Sequence, residues 1–407
     1  MNILKNICPK NRPVSTASAN RSCLFITCLF FFAEQLTAQP FQVGHTTLTF
    51  TDPARNNRSV PCEIYYPADA AGDNVPLAAG GGSFPVISFG HGFVMSWEAY
   101  QNIWEAVVPE GFLLVFPKTE TGFSPSHLDF GLDLAFAIAQ VRALGQDAGS
   151  LFFNRTANTG CVMGHSMGGG ASFLAAQSDT SITALATLAP AETSVSAISA
   201  AAEMTRPALV IAGANDCVTP PAVHQLPMYE ALASACKTYV SITGGSHCQM
   251  ANSNLFCNIG EATCTPAPAI SREQQHQTIN RYLLPWLNYQ LKGDCTAGAV
   301  FDSTIVADAA ITYQRTCELC PATRTGEAAP VPATTVFPNP FSTELNVAIS
   351  GGQASEFSLY DPAGSLVLQQ NFRDSLSLDT RRLGSGVYFY EIKTGTMAPV
   401  KGKLVKE

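Results

Sequence analysis

The segment VMGHSMGGGASFLAA (162–176) sets Ser166 between Gly164 and Gly168, after an apolar run and before a helix-forming one. In this strand–turn–helix context the serine of a G-x-S-x-G motif is a nucleophile. So sharp a reversal forces strained backbone angles on the serine, and a Cβ at either flank would strike the adjacent strand or helix. A serine hydroxyl is weak at neutral pH, so it needs a base to take its proton and an acid to orient that base. The partners follow in the chain order acid, then histidine. Asp216 lies three residues past the apolar run PALVIAG (207–213) and is the candidate acid, because Asp179 precedes the next strand and Glu192 follows the wrong one. His247, directly after KTYVSITG (237–244), is the candidate base, whereas His224 follows two prolines and His276 lies in a helical pattern. The oxyanion of acyl transfer needs two backbone N–H donors, here Met167 and, in GHGF (90–93), Phe93. His91 in that turn reads as a structural ring. This chemistry calls for no metal and no organic cofactor.

Such a constellation must be held at one edge of a sheet. From Gln39 to about Gly293, short apolar strands alternate with longer helical patterns, as in an α/β layer with a mostly parallel sheet. The runs 41–50 and 60–67 read as an opening hairpin; 84–90, 112–117, 159–164, 182–190, 207–213 and 237–244 read as buried strands, eight in all. Apolar residues at helical spacing mark 96–110, 128–144 and a closing helix over 271–291, bent or ended at Pro285.

The 407 residues suffice for this domain and a smaller one. Lys5, Lys10, Arg12 and Arg21 precede the apolar run 23–33, and Ala38 offers a cleavage point, so 1–38 reads as a secretory signal peptide, too short in its apolar part to span a bilayer. Removing those four basic residues and Glu34 takes the formal charge from −8 to −11, which argues against nucleic acid as a partner. Ten of thirteen cysteines remain, and in an oxidising compartment they read as disulfides; no spacing fits zinc. Cys217 with Cys236 or Cys248, and Cys295 with Cys317 or Cys320, are the candidate pairs, and Cys161 reads as a buried free thiol. After Cys320 a Pro/Ala/Thr-rich stretch (321–336) reads as a linker, and 337–407 alternates like a small β-sandwich.

The segments GHSMGGG (164–170), AGANDCVTPP (212–221), LPMYEAL (226–232) and GGSHCQMANSN (244–254) resemble the polyester hydrolase and cutinase branch of the α/β-hydrolases. An α/β-hydrolase domain is expected over 39–320, and the resemblance, which runs over most of 84–290, implies Ser166, Asp216 and His247 as catalytic, with Phe93 and Met167 both donating to the oxyanion and lining the acyl pocket. Where that family carries a tryptophan after the sixth strand this chain has Ala191, which weakens the implied contact to an aromatic acyl group; Trp97 is a candidate for supplying that surface, or for packing in the core. An insertion at 255–270 reads as a lid or rim. The tail, through FPNPF (337–341), LYDPAGSLV (359–367) and LDTRRLGSGVYFYEI (378–392), resembles the C-terminal sorting domain of the type IX secretion system, implying that machinery as a partner and a destination at or beyond the cell surface. Together these features point to a monomeric, secreted serine carboxylic ester hydrolase, with polyester as an implied substrate. The rival expectations are a lipase-like or small-ester esterase, an acyltransferase, and a surface binding protein on a hydrolase scaffold.

Overall fold

The computed structural model describes residues 41–320, 334–349, 354–362, 364–394 and 400–407. The expected leader (1–38) and most of the expected linker (321–333) lie outside them.

The opening hairpin is β1 (Gln42–Asp52) and β2 (Arg58–Ala68), followed by a two-residue strand β3 (Gly72–Asp73). Then come β4 (Phe84–Gly90), β5 (Leu113–Pro117), β6 (Thr156–His165), β7 (Ala184–Leu188), β8 (Ala208–Gly213), β9 (Lys237–Ile242) and β10 (Ile311–Arg315). These form a ten-stranded sheet in the order β10-β9-β8-β7-β6-β4-β5-β2-β1-β3. The run from β5 to β9 is parallel, while β2 joins β5, and β10 joins β9, antiparallel. The sheet thus has two strands beyond the eight expected. β3 is too short to leave a pattern, and β10 (ITYQR) is a largely exposed edge strand without a buried apolar run.

The helices are α1 (Gln101–Val107), α2 (His127–Leu144), α3 (Met167–Ser178), α4 (Ala197–Ala201), α5 (Gln225–Ala231), α6 (Leu255–Glu261), α7 (Arg272–Lys292) and α8 (Cys295–Ala307). Alternation along the strands divides the core. Leu113 and Val115 face a cluster with Phe130, Leu134 and Ile138 of α2 and Phe173 and Leu174 of α3; Leu114 and Phe116 face one with Ile103 of α1, Trp286 and Leu287 of α7 and Phe301 of α8. Because both faces are covered, β4 and β5 are buried at every position. α2 starts where Ser126 Oγ accepts from the Asp129 N–H at 3.2 Å, and Ser271 with Gln274 forms a reciprocal capping box on α7. α7 does not end at Pro285: it continues to Lys292, and the buried Trp286, Leu287 and Leu291 compensate for the missing N–H.

The tail begins earlier than its expected start at Phe337, because the β-prone TTVF already forms β11 (Thr334–Phe337). β12 (Glu344–Ile349), β13 (Ala354–Tyr360), β14 (Leu366–Arg373), β15 (Ser375–Asp379), β16 (Gly386–Thr394) and β17 (Val400–Lys406) complete an antiparallel set ordered β11-β12-β15-β14-β13-β16-β17. A single register pair, Arg373 with Ser375, joins β14 to β15. Leu345, Val347 and Leu378 on one side of that junction share a core with Phe357, Leu359, Ile392 and Leu404 on the other, the two-layer packing of a sandwich.

Candidate active site

Ser166 sits between β6 and α3 with φ 56° and ψ −122°. Its backbone is pinned on three sides: its N–H donates to Leu188 O at 3.1 Å, and its carbonyl accepts from Ala191 N at 2.8 Å and Gly170 N at 3.0 Å. The flanking glycines are sterically required. A Cβ at Gly164 would lie 2.3 Å from Gly168 O, and one at Gly168 would lie 2.2 Å from the Gly90 carbonyl carbon, where neither backbone can yield. Val94 (φ 54°) and Ala189 (φ 41°) also hold left-handed angles, in the loop after β4 and just after β7, so backbone strain gathers at this edge.

Asp216 lies in the loop after β8 and His247 in the loop after β9, both buried. His247 Nδ1 meets Asp216 Oδ2 at 2.7 Å. Asp216 Oδ1 accepts from the N–H groups of Val218 (2.9 Å) and Thr219 (2.8 Å), and Thr219 Oγ1 donates to Oδ2 at 2.9 Å. Gln225 Nε2 in turn donates to Thr219 Oγ1 at 3.1 Å and to Pro190 O at 2.7 Å. The carboxylate therefore has four donors around it, which fixes its plane and that of the imidazole. The two loops are also tied directly by Asn215 N to Gly245 O at 2.8 Å, and Gln275 of α7 clasps Ser246, just before the histidine, through both its amide ends at 2.8 Å.

Ser166 and His247 line the same pocket of about 320 Å³, with Phe93, Val94, Met95, Phe123, Val218 and residues of α6. Among the described residues no hydrogen bond joins the Ser166 hydroxyl to the His247 ring, and no partner occupies the N–H of Phe93 or Met167. Met167 stands at the first position of α3, where a helix leaves its amides unpaired and its dipole favours negative charge. A larger groove of about 670 Å³ on the tail, lined by Tyr360, Phe389 and Lys401 among others, contains no histidine.

The remaining expected residues fall as follows. Phe93 lines the pocket with its ring half exposed. Met167, Trp97 and Ala191 are not among the lining residues: the Met167 side chain is buried in the core with α2 and α3, the Trp97 ring packs on the α1/α7 core with Lys118 Nζ 5.0 Å above it, and the Ala191 backbone serves Ser166. His91 is held by Gly92 O at 2.9 Å and Thr119 O at 2.8 Å and packs on Phe130, and burial lowers its pKa; it ties the β4 loop to the end of β5. His224 Nδ1 accepts from Glu192 N at 3.0 Å, a structural bond that engages neither Asp216 nor His247.

Several supporting residues carried no sequence signal strong enough to single out. Tyr100 Oη accepts from Gly92 N at 2.7 Å and meets His165 Nδ1 at 3.0 Å, joining the Phe93 loop to the Ser166 turn. His165 packs against His247 with ring centroids 4.6 Å apart and planes tilted by 43°, and burial holds its pKa well below the usual histidine value, so this neighbouring ring is neutral.

The disulfides correct one expectation. Cys217 pairs with Cys264, and with neither Cys236 nor Cys248; Cys236 pairs with Cys317 and Cys248 with Cys257. The physical reason is that the 255–270 insertion folds back over both candidate catalytic loops. Cys295 pairs with Cys320, and Cys161 is a buried free thiol whose pKa burial raises, as is Cys62.

A mostly parallel sheet with a strained serine at the β6–α3 turn, and a carboxylate and a histidine from the loops after β8 and β9, defines an α/β-hydrolase. Residues 37–264, more than half of the chain, match the PET hydrolase-like family, and the chain belongs to it. A 97-residue stretch is 35% identical to chlorophyllase-1, chloroplastic, of Citrus sinensis, covering 23% of this chain and 29% of that protein. The chain thus spans about three tenths of the length of the curated relative it matches. Residues 335–407 match the secretion system C-terminal sorting domain, which directs the protein by type IX secretion to the cell surface or beyond.

Proposed function

We propose that this protein is a secreted serine carboxylic ester hydrolase that works through an acyl-enzyme. The observation that supports it most is the buried 2.7 Å Asp216–His247 contact beside the pocket that Ser166 also lines. In this reading Ser166 Oγ attacks the ester carbonyl carbon while His247 Nε2 takes the hydroxyl proton, and Asp216 stabilises the resulting imidazolium. The free N–H groups of Met167 and Phe93 hold the tetrahedral oxyanion; one such donor is worth about 3 kcal/mol of transition-state stabilisation. His247 returns the proton to the departing alkoxide. Water, losing a proton to His247, then attacks the acyl-enzyme, and the carboxylic acid leaves as Ser166 regains its hydrogen. The Ser166 hydroxyl must swing onto the ring as substrate enters, since catalytic hydrogen bonds tighten in the Michaelis complex.

The apolar pocket wall, which continues into exposed rings at Phe93 and Phe123, favours an ester embedded in a large hydrophobic molecule, and polyester is the proposed substrate. Residues 1–38 are read as the export leader, 39–320 as the hydrolase and 337–407 as the sorting domain, acting as a monomer because one chain supplies the whole site. In the Ser166→Ala variant kcat for 4-nitrophenyl acetate should fall by about 10⁴-fold or more; undiminished turnover by the purified variant refutes the mechanism. Release of soluble acid from polyester film by the wild type, and none by Ser166→Ala, tests the substrate.

A further inference from the structure

We infer that α6, the helix of the 255–270 insertion, is a fixed wall of the pocket and that Phe256 and Ile259 on it determine how large an apolar group the ester can carry. This inference rests on the hydrolase reading above. Three observations carry it.

First, the helix borders the pocket without closing over it. A lid at rest turns its apolar residues inward, yet α6 buries none of its side chains, leaving Phe256 52% and Ile259 63% exposed. Both line the pocket with Ser166 and His247. Second, the helix is tethered at both ends. Cys257 is bonded to Cys248, the neighbour of His247, and Cys264 to Cys217, the neighbour of Asp216. Glu261 Oε1 accepts from Cys248 N at 3.0 Å, Asn254 Oδ1 caps the first turn, and Arg272 bonds the carbonyls of Cys248 and Ala251 beneath it. A helix so bound cannot swing away without breaking bonds beside the acid and the base.

Third, the rings continue around the pocket. Phe256 meets Phe123 edge-on at 6.4 Å, and Phe123 meets Phe93 edge-on at 6.4 Å. The loop bearing Phe123 is itself braced: Arg58 Nη2 donates to Glu120 Oε1 at 2.7 Å, and Glu120 Oε2 accepts from Ser126 N at 2.5 Å. Phe93 and Phe256 therefore stand as two aromatic walls with Phe123 between them, at a spacing set by braced elements rather than by the arriving molecule. An aryl or branched alkyl group gains contact with such walls, while an acetyl group is too small to reach them.

The test compares kcat/KM for 4-nitrophenyl benzoate with 4-nitrophenyl acetate, and for benzyl acetate with ethyl acetate, in the wild type, Phe256→Ala, Ile259→Ala and Leu255→Ala. Leu255 lies on the same helix, is 70% exposed and does not line the pocket. The preference for the ring-bearing ester should fall about tenfold in Phe256→Ala in whichever series sets its ring against α6, fall less in Ile259→Ala, and hold at the wild-type ratio in Leu255→Ala. Unchanged ratios in both series for Phe256→Ala and Ile259→Ala, or an equal fall in Leu255→Ala, overturn the inference. Loss of turnover in Ser166→Ala alongside unchanged ratios leaves the hydrolase reading standing and removes only the role of α6; turnover surviving in Ser166→Ala removes the hydrolase reading itself.

Discussion

Thr219 gives the most discriminating prediction, because its hydroxyl touches no substrate and yet lies at the centre of the acid–base pair. Replacing it with Val keeps the side chain's shape and removes Oγ1. Asp216 then loses one of four donors, the 2.9 Å bond to Oδ2, and keeps the N–H groups of Val218 and Thr219 and the imidazole. Gln225 Nε2 keeps Pro190 O at 2.7 Å for one N–H and loses Oγ1 as the acceptor of the other, so the variant should also lose some stability, read separately from kcat as a fall in Tm. A hydrogen bond to a charged group contributes about 1.5–3 kcal/mol. Part of that loss falls on the ground state, where the freed carboxylate can turn on its remaining bonds; about 1.4–2.8 kcal/mol in the barrier corresponds to a 10- to 100-fold fall in kcat. KM should change little, since the hydroxyl is outside the pocket lining. The assay is steady-state hydrolysis of 4-nitrophenyl acetate by wild type, Thr219→Val, Thr219→Ser and Asp216→Asn. Serine should restore most of kcat, and Asn should lower it further than Val. A Thr219→Val enzyme with kcat within twofold of wild type, while Asp216→Asn is crippled, would refute the argument that this hydroxyl positions the pair.

Other perturbations have equally definite outcomes. His91 and His165 are buried with pKa values lowered from 6.5, so below that pH the unfolded chain binds protons that the folded one does not. Stability should therefore drop as pH falls through 6.5, by up to about 1.4 kcal/mol per pH unit for each ring, and the slope of Tm against pH should be shallower in His165→Asn; a flat Tm from pH 7 to 5.5 contradicts this. Removing the Cys217–Cys264 bridge as Cys217→Ser/Cys264→Ser frees a separation of 47 residues, worth at most about 4 kcal/mol in chain entropy. Its denaturant midpoint should fall and kcat should fall with it, because the bridge ends next to Asp216; a loss of stability with kcat intact would show that the loop holds its shape without the bridge.

What could be read from the chain alone followed from local chemistry. Ser166 was legible because a glycine on each side of a serine, after a buried strand, has one steric explanation: a Cβ at Gly168 or Gly164 would come within 2.2–2.3 Å of neighbouring backbone. Asp216 and His247 were legible as the polar residues just past successive apolar strands. What stayed hidden depends on distant parts of the chain meeting. Gln275 reaches Ser246 across 29 residues, and Tyr100 reaches His165 across 65. Cys217 finds Cys264 only because the insertion folds back, which no spacing rule encodes. Thr219 had a local signal, a hydroxyl three residues after the acid with its N–H on the same carboxylate, but that pattern is common in turns. At Trp97 the local pattern fits a pocket role and a core role alike; its ring lies beneath Lys118 and against the core, a contact that only the folded chain decides.

The central claim is that Ser166 becomes a nucleophile through His247, and covalent capture tests it directly. Treated with a fluorophosphonate, the wild-type protein should gain one phosphonyl mass, mapped by peptide sequencing to Ser166, with labelling abolished in Ser166→Ala and slowed by several orders of magnitude in His247→Ala. An adduct on another residue, or ester turnover that persists in a protein that takes up no label, would contradict the account.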